Sequence, residues 1–386
     1  MKICYETASK HLSIIAISFL FLFLGHCFIP QRTPINTSET MTIRGDTFAY
    51  VSMIEGNWIT TPAPFKFRIL VPFLASLLPL SPTDSLIFIS YISLFFCYIF
   101  IFLTCEKLGL NIRSSAIGLL TVWGSRWHFY NYHNPFLTDT LGLLMLCIMI
   151  FALFNDSFFL FLTAAVFGVL TRETTLFVVP IWLVKKELRR GILLIAISFI
   201  VLLIPRYFLA SATDVTLAKV LAQIGGFQQP LTYVINVFSY WGFVWFLSII
   251  GIWFLPNDKF VLVTVIYMSL LGGAIFTSFI ANDTGRMFSI LTPILVITTA
   301  PLYAELIKIK ECFLALIFVL LIIFHAFASF PNVIFGEGSW VFGLHHRILV
   351  VGEIFFIILV LKRLWNFLLQ EMQGKAMTQI FNNEHV

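Results

Sequence analysis

DSLIFISYISLFFCYIFIFLT, residues 84–104, carries one charge, at its first position, and is otherwise apolar or small. Coiled as an α-helix at 1.5 Å per residue it would be about 32 Å long. A bilayer's hydrocarbon core is about 30 Å thick. A stretch of this kind spans a membrane. Comparable stretches follow at 12–29, 114–130, 138–154, 157–171, 174–184, 191–209, 236–255, 260–281, 288–306, 312–330 and 347–361. The chain is therefore expected to be all-α: one transmembrane helix bundle over residues 1–386, with about 12 spans (roughly 10–13). The pieces at 157–171 and 174–184 are short for a full crossing, so that region is expected to be re-entrant or broken.

Composition agrees. Of 386 residues, 59% are apolar and 11% charged, against about 25% charged in soluble domains. The mean hydropathy is +0.96. Forty-four Phe and nine Trp suit lipid-facing surfaces and interfacial belts. The net charge of +5 needs only basic loops beside a membrane, so no nucleic-acid partner is expected. The six cysteines show neither CxxC nor CxxH spacing, which argues against a zinc site or a disulfide framework. Leu12–Ile29 follows Lys2 and Lys10 and has no small-x-small cleavage site before Pro30, which suggests an uncleaved signal-anchor with its N-terminus inside.

An even number of spans puts both termini on the cytoplasmic side. Fourteen basic residues then lie inside, among them the KKELRR run at 185–190, KIK at 308–310 and the short cytoplasmic tail 362–386. Ten of the fourteen are Lys, whereas eight of the ten outside are Arg. Orientation does not require those outer arginines and is slightly opposed by them. They are Arg32, Arg44, Arg68, Arg126, Arg172, Arg206, Arg286 and Arg347. Charges at a membrane boundary are costly and usually functional. An Arg fork binds two phosphate oxygens at once.

The first outer loop, 30–83, holds two constellations. In RGDTFAY (44–50), Asp46 can act as a general base or simply cap the helix that Phe48, Val51 and Ile54 announce. FKFRILVPFLASLLPL (65–80) is apolar, short and charged, and is expected to form an amphipathic helix in the interface. Its Arg68 can hold a diphosphate or snorkel to ordinary headgroups. Further on, residues 123–139 pack aromatics with Arg126, His128, His133 and Asp139. Rings there can stack on sugars or form an interfacial belt. His128 and His133 do not have i, i+4 spacing, so they make no helical metal pair. In TRET (171–174), neighbours at i and i+1 face apart, so Arg172 and Glu173 should each meet a partner elsewhere. Asp283 and Arg286 share a Gly-bearing turn before a Pro-bearing span. His346 and Arg347 open the final span, where a plain topological boundary is an equal explanation. No phosphate-binding Gly-rich motif appears, and Glu353 is the main carboxylate inside a span, a thin basis for a proton path.

Taken together, these residues resemble the GT-C superfamily of integral-membrane glycosyltransferases. The matched features are Asp46 in the first outer loop, the Arg68-to-Pro72 segment, Thr138-Asp139, Arg172-Glu173, and Asp283 and Arg286 before Pro293. The resemblance implies a sugar moved, with inversion, from a polyprenyl-phosphate donor to a glycan, lipid or protein acceptor on the outer face. It implies Asp46 as the base, with Arg68, Arg172 and Arg286 on the carrier phosphate. Arg44, Arg126, His128, His133, Asp139, Glu173, Asp283, His346 and Arg347 complete the expected substrate-binding set. No D-x-D or E-x-D surrounds Asp46, so no metal ligands are assigned, and a divalent cation (Mg2+ or Mn2+) is the one cofactor left open. The short tails point to a bacterial inner membrane with the site facing the periplasm. Two rivals use outward arginines equally well: a flippase for a lipid-linked saccharide, and a polysaccharide polymerase or ligase.

Overall fold

The computed structural model describes residues 2–29, 46–123, 125–185, 187–210, 244–278, 287–334, 351–352, 354–363 and 366. Every regular element among them is helical. In chain order they are α1 (Lys2–Phe28), α2 (Asp46–Ile54), α3 (Leu70–Ser76), α4 (Pro82–Lys107), α5 (Ile112–Trp123), α6 (Arg126–His133), α7 (Asp139–Phe154), α8 (Phe158–Thr171), α9 (Leu188–Leu209), α10 (Val244–Ile252), α11 (Asn257–Ser278), α12 (Thr292–Lys308) and α13 (Cys312–Ile334). Residues 354–363 are also helical. Among the described residues, five stretches are long and apolar enough to cross a bilayer: Ala8–Phe28, Pro82–Lys107, Leu188–Leu209, Asn257–Thr277 and Ser289–Lys308. α5, α7 and α8 are apolar but shorter, so the multi-pass character stands while the number of crossings is not fixed at 12.

The stretch at 84–104 is α4, and its ends follow from sequence. Ser81 caps it, with its hydroxyl accepting from the Asp84 N–H at 3.2 Å, and Pro82 occupies the first turn, where no donor is needed. α4 packs on α7, and α7 in turn on α8. α7 and α12 are buried around almost their whole circumference, which suits helices apolar on every side. α12 is flanked by α5 and α10, and each brings a glycine against it. A Cβ on Gly118 would sit 2.8 Å from the Ala300 Cβ, and one on Gly251 would strike the Thr298 carbonyl. Lipid offers no hydrophobic drive between helices, so such close backbone contact supplies the attraction.

Two expected elements differ, and a third is broken as its shortness suggested. The span expected at 114–130 is two helices, α5 and α6. Ser125 starts the second by accepting from the His128 N–H at 3.3 Å. The single interfacial helix expected at 65–80 is a 3-10 turn, Phe65–Phe67, followed by the seven-residue α3. Pro72 accounts for the break. It has no N–H for the carbonyl four residues back, and its ring would press on that carbonyl. That residue is Arg68, which has φ −93° and ψ 65°. α3 still presents Phe73 outward, as an interfacial helix would.

The piece expected at 174–184 is two 3-10 segments, Glu173–Phe177 and Val179–Lys185, and Pro180 explains their interruption in the same way. At about 2.0 Å per residue, residues 173–185 reach roughly 26 Å, so this short piece still covers most of a hydrocarbon core. Irregular backbone at that depth must be enclosed by protein. Val179, Ile181 and Trp182 are buried, and Ser269 of α11 donates to the Phe177 carbonyl.

Ion pairs sort by end of the bundle. Lys10–Glu106 (2.7 Å), Lys185–Asp156 and Arg363–Glu311 (3.8 Å) join elements at the end expected to be cytoplasmic. Arg68–Glu173, Arg206–Glu173 and Arg172–Asp139 join elements at the other. No pair in either group links the two ends, as alternating spans require.

Candidate functional site

The second end of the bundle gathers polar side chains from five separate elements. α2 begins with Asp46, whose carboxylate suits a helix N-terminus. One turn on, and so on the same face, is Tyr50, which is fully buried. Its hydroxyl lies 3.2 Å from the Thr138 hydroxyl, next to the start of α7, and accepts from Arg68 Nη1 at 3.4 Å. Tyr50 thus ties the first outer loop to α7.

Arg68 also donates through Nε to Glu173 Oε2 at 3.3 Å. Arg206, near the end of α9, donates through Nη2 to the other oxygen of Glu173 at 3.0 Å. Its Nη1 donates to the Leu202 carbonyl at 2.9 Å. The two guanidiniums therefore share one carboxylate, one on each oxygen. Both are braced by rings of the 3-10 turn: Arg206 lies 4.9 Å from the Phe67 centroid and Arg68 5.9 Å from that of Phe65. Burial pushes the Glu173 carboxyl up. Arg68, its own backbone N–H, Arg206 and Arg172 outweigh that and hold it below the usual carboxylate range.

Beside this cluster, Arg172 pairs with Asp139, and its Nη2 lies 3.8 Å from Met287 Sδ. The pair is sealed, with side-chain exposures of 3% and 0%. Arg68, Glu173 and Arg206 are 12%, 27% and 30% exposed, so an outside molecule can reach them. A cavity of about 10 Å³ lies against the sealed pair, lined by Gly142, Thr174 and Ser289 among others, and is about the size one water needs. Three guanidiniums against two carboxylates leave one net positive charge here. That arrangement can hold an anion, and Asp46 stands one helical turn before Tyr50 on α2.

Arg172 and Glu173 thus each find a partner on another element, as their adjacency requires. His128 is placed elsewhere. It is buried among aromatics, in hydrogen-bond contact with the Tyr98 hydroxyl, which itself lies 3.0 Å from that of Tyr132. Tyr132 packs against Gly25 of α1. His133 ends α6 and is half-buried. The backbone of Arg126 opens α6. Arg44, Asp283, Arg286, His346 and Arg347 lie outside the described residues. Among the described residues, no group of three or more His, Cys, Asp or Glu could hold a metal ion. A separate groove of about 560 Å³ runs between α1 and α4, lined by Phe19, Phe23, Phe88, His26, Asp84 and Tyr91 among others.

No family model, curated protein or solved structure matches this chain.

Two members of the cluster carried little signal in sequence. Tyr50 reads as one more aromatic, although its i, i+4 relation to Asp46 placed it on the same face. Arg206 reads as one outer arginine among eight. Only folding brings it against Glu173, thirty-three positions away in the chain.

Proposed function

We propose that this protein is a membrane glycosyltransferase of the GT-C type. It would move a sugar from a polyprenyl-phosphate donor to a glycan, lipid or protein acceptor on the non-cytoplasmic face, in a bacterial inner membrane. One observation carries the reading. Asp46 stands one helical turn from Tyr50, and Tyr50 hydrogen-bonds Arg68 inside the reachable arginine cluster. A base and a phosphate cradle at one end of an apolar bundle are what transfer from a lipid phosphate needs.

In this reading the acceptor hydroxyl oxygen attacks the anomeric carbon and gives its proton to the Asp46 carboxylate. The bond from that carbon to the phosphate oxygen breaks, and its electron pair leaves with the phosphate. Arg68 and Arg206 stabilise the charge that develops there. The sealed Arg172–Asp139 pair holds α7 to the end of α8, so phosphate binding is assigned to Arg68 and Arg206.

The test is release of lipid phosphate from a panel of radiolabelled polyprenyl-phosphate sugars, with wild type beside Asp46→Asn. Release by wild type alone supports the assignment. Full release by folded Asp46→Asn removes Asp46 as the base. Binding without release, unchanged by the substitution, favours a flippase.

A further inference from the structure

We propose that Glu173 is a displaceable internal counter-ion. Its carboxylate occupies the subsite in which Arg68 and Arg206 receive a phosphate group, and the ligand must expel it to bind. The inference rests on the lipid-phosphate reading only in needing a phosphate head to bind there, not in needing a sugar to be transferred.

The geometry points this way. The two carboxylate oxygens are divided between two guanidiniums, Oε2 to Arg68 at 3.3 Å and Oε1 to Arg206 at 3.0 Å. Two oxygens on one phosphorus can be divided in the same manner. The receiving groups are held in place from behind. Phe65 and Phe67 lie against the guanidiniums, Tyr50 bonds Arg68, and the Leu202 carbonyl bonds Arg206. Removing Glu173 would therefore leave the cradle standing.

Contrast with the neighbouring pair separates a clamp from a latch. Arg172 and Asp139 are sealed from solvent, whereas Glu173 is 27% exposed and sits on a side chain with three rotatable bonds. Its ion pairs are of the partly solvated kind, worth little each. A resident counter-ion also removes the cost of leaving two facing guanidiniums unpaired at a membrane boundary between ligands.

The test is binding of dodecyl phosphate and, separately, of inorganic phosphate to the full chain in nanodiscs, by calorimetry. Glu173→Gln keeps the shape and removes the competing charge, so dodecyl phosphate should bind about tenfold tighter than to wild type. Arg206→Gln should bind it more weakly than wild type. A gain with both phosphates supports a subsite open to water, and a gain with dodecyl phosphate alone supports one reached from the lipid. A Glu173→Gln protein that binds neither more tightly overturns the proposal and makes Glu173 a structural clamp. If that variant does not fold, Glu173→Asp serves. Its shorter carboxylate cannot reach both arginines, so binding should again tighten, and unchanged or weaker binding overturns the proposal. No sugar transfer is read, so loss of the transferase reading leaves this result intact.

Discussion

Asp139→Ala removes one half of a sealed ion pair, and its cost can be worked from the structure. Asp139 and Arg172 are 0% and 3% exposed, so Arg172 would be left charged with almost no water to replace its partner. Its Nη2 also lies 3.8 Å from the sulfur of Met287, a weak acceptor. Stranding one partner of a buried pair costs roughly 3–5 kcal/mol. Asp139→Leu combined with Arg172→Met removes both charges and fills a similar volume, and replacements of that kind are neutral or stabilising by about 1–4 kcal/mol. The assay is reversible denaturation in mixed micelles, run on the wild type, both single variants and the pair. The expected result is a large loss for Asp139→Ala and near-recovery in the double variant. A single-variant loss below about 1 kcal/mol would mean that the pair is solvated and worth no more than a surface bridge. A double variant as unstable as the single would mean that packing, not charge, sets the cost. Either result refutes the reasoning.

Two further outcomes are expected. Gly251→Ala should destabilise by about 1–3 kcal/mol in the same assay, because the added methyl meets the Thr298 backbone of α12, which cannot rotate aside; an unchanged midpoint would mean that α10 and α12 are not in close contact. Glu173 should steepen acid unfolding. Its folded-state carboxyl lies below the ordinary value of about 4.3. Its contribution is therefore fully present above that unfolded value and lost as pH falls through the lower folded one. Stability measured against pH should show a shallower acid limb in Glu173→Gln than in wild type.

Much of the fold was legible in the chain. The segment 84–104 becomes α4 because its apolar length and the Ser81-Pro82 start are both local signals. The expected spans at 138–154, 157–171 and 191–209 match α7, α8 and α9 closely for the same reason. The break at 174–184 was announced by the shortness of that piece, whereas the break at 65–80 was less legible, although Pro72 stood in the sequence. A proline's effect depends on whether it falls in the first turn of a helix or in its interior, and that is settled by where the helix begins.

The candidate site divides in the same way. Arginine at one end of the bundle, a carboxylate at the start of α2, and the need for Arg172 and Glu173 to part company are all properties of residue type and spacing. Sequence by itself determined that this is an all-helical membrane protein and which end carries unneeded charge, because hydropathy, helix rise and i, i+1 geometry act along the chain. Only the tertiary structure decided that Arg172 is sealed against Asp139 while Arg68 and Arg206 share an accessible Glu173. Burial and pairing depend on which helices become neighbours, and the packing of α7, α8, α9 and the Pro-broken first loop sets that.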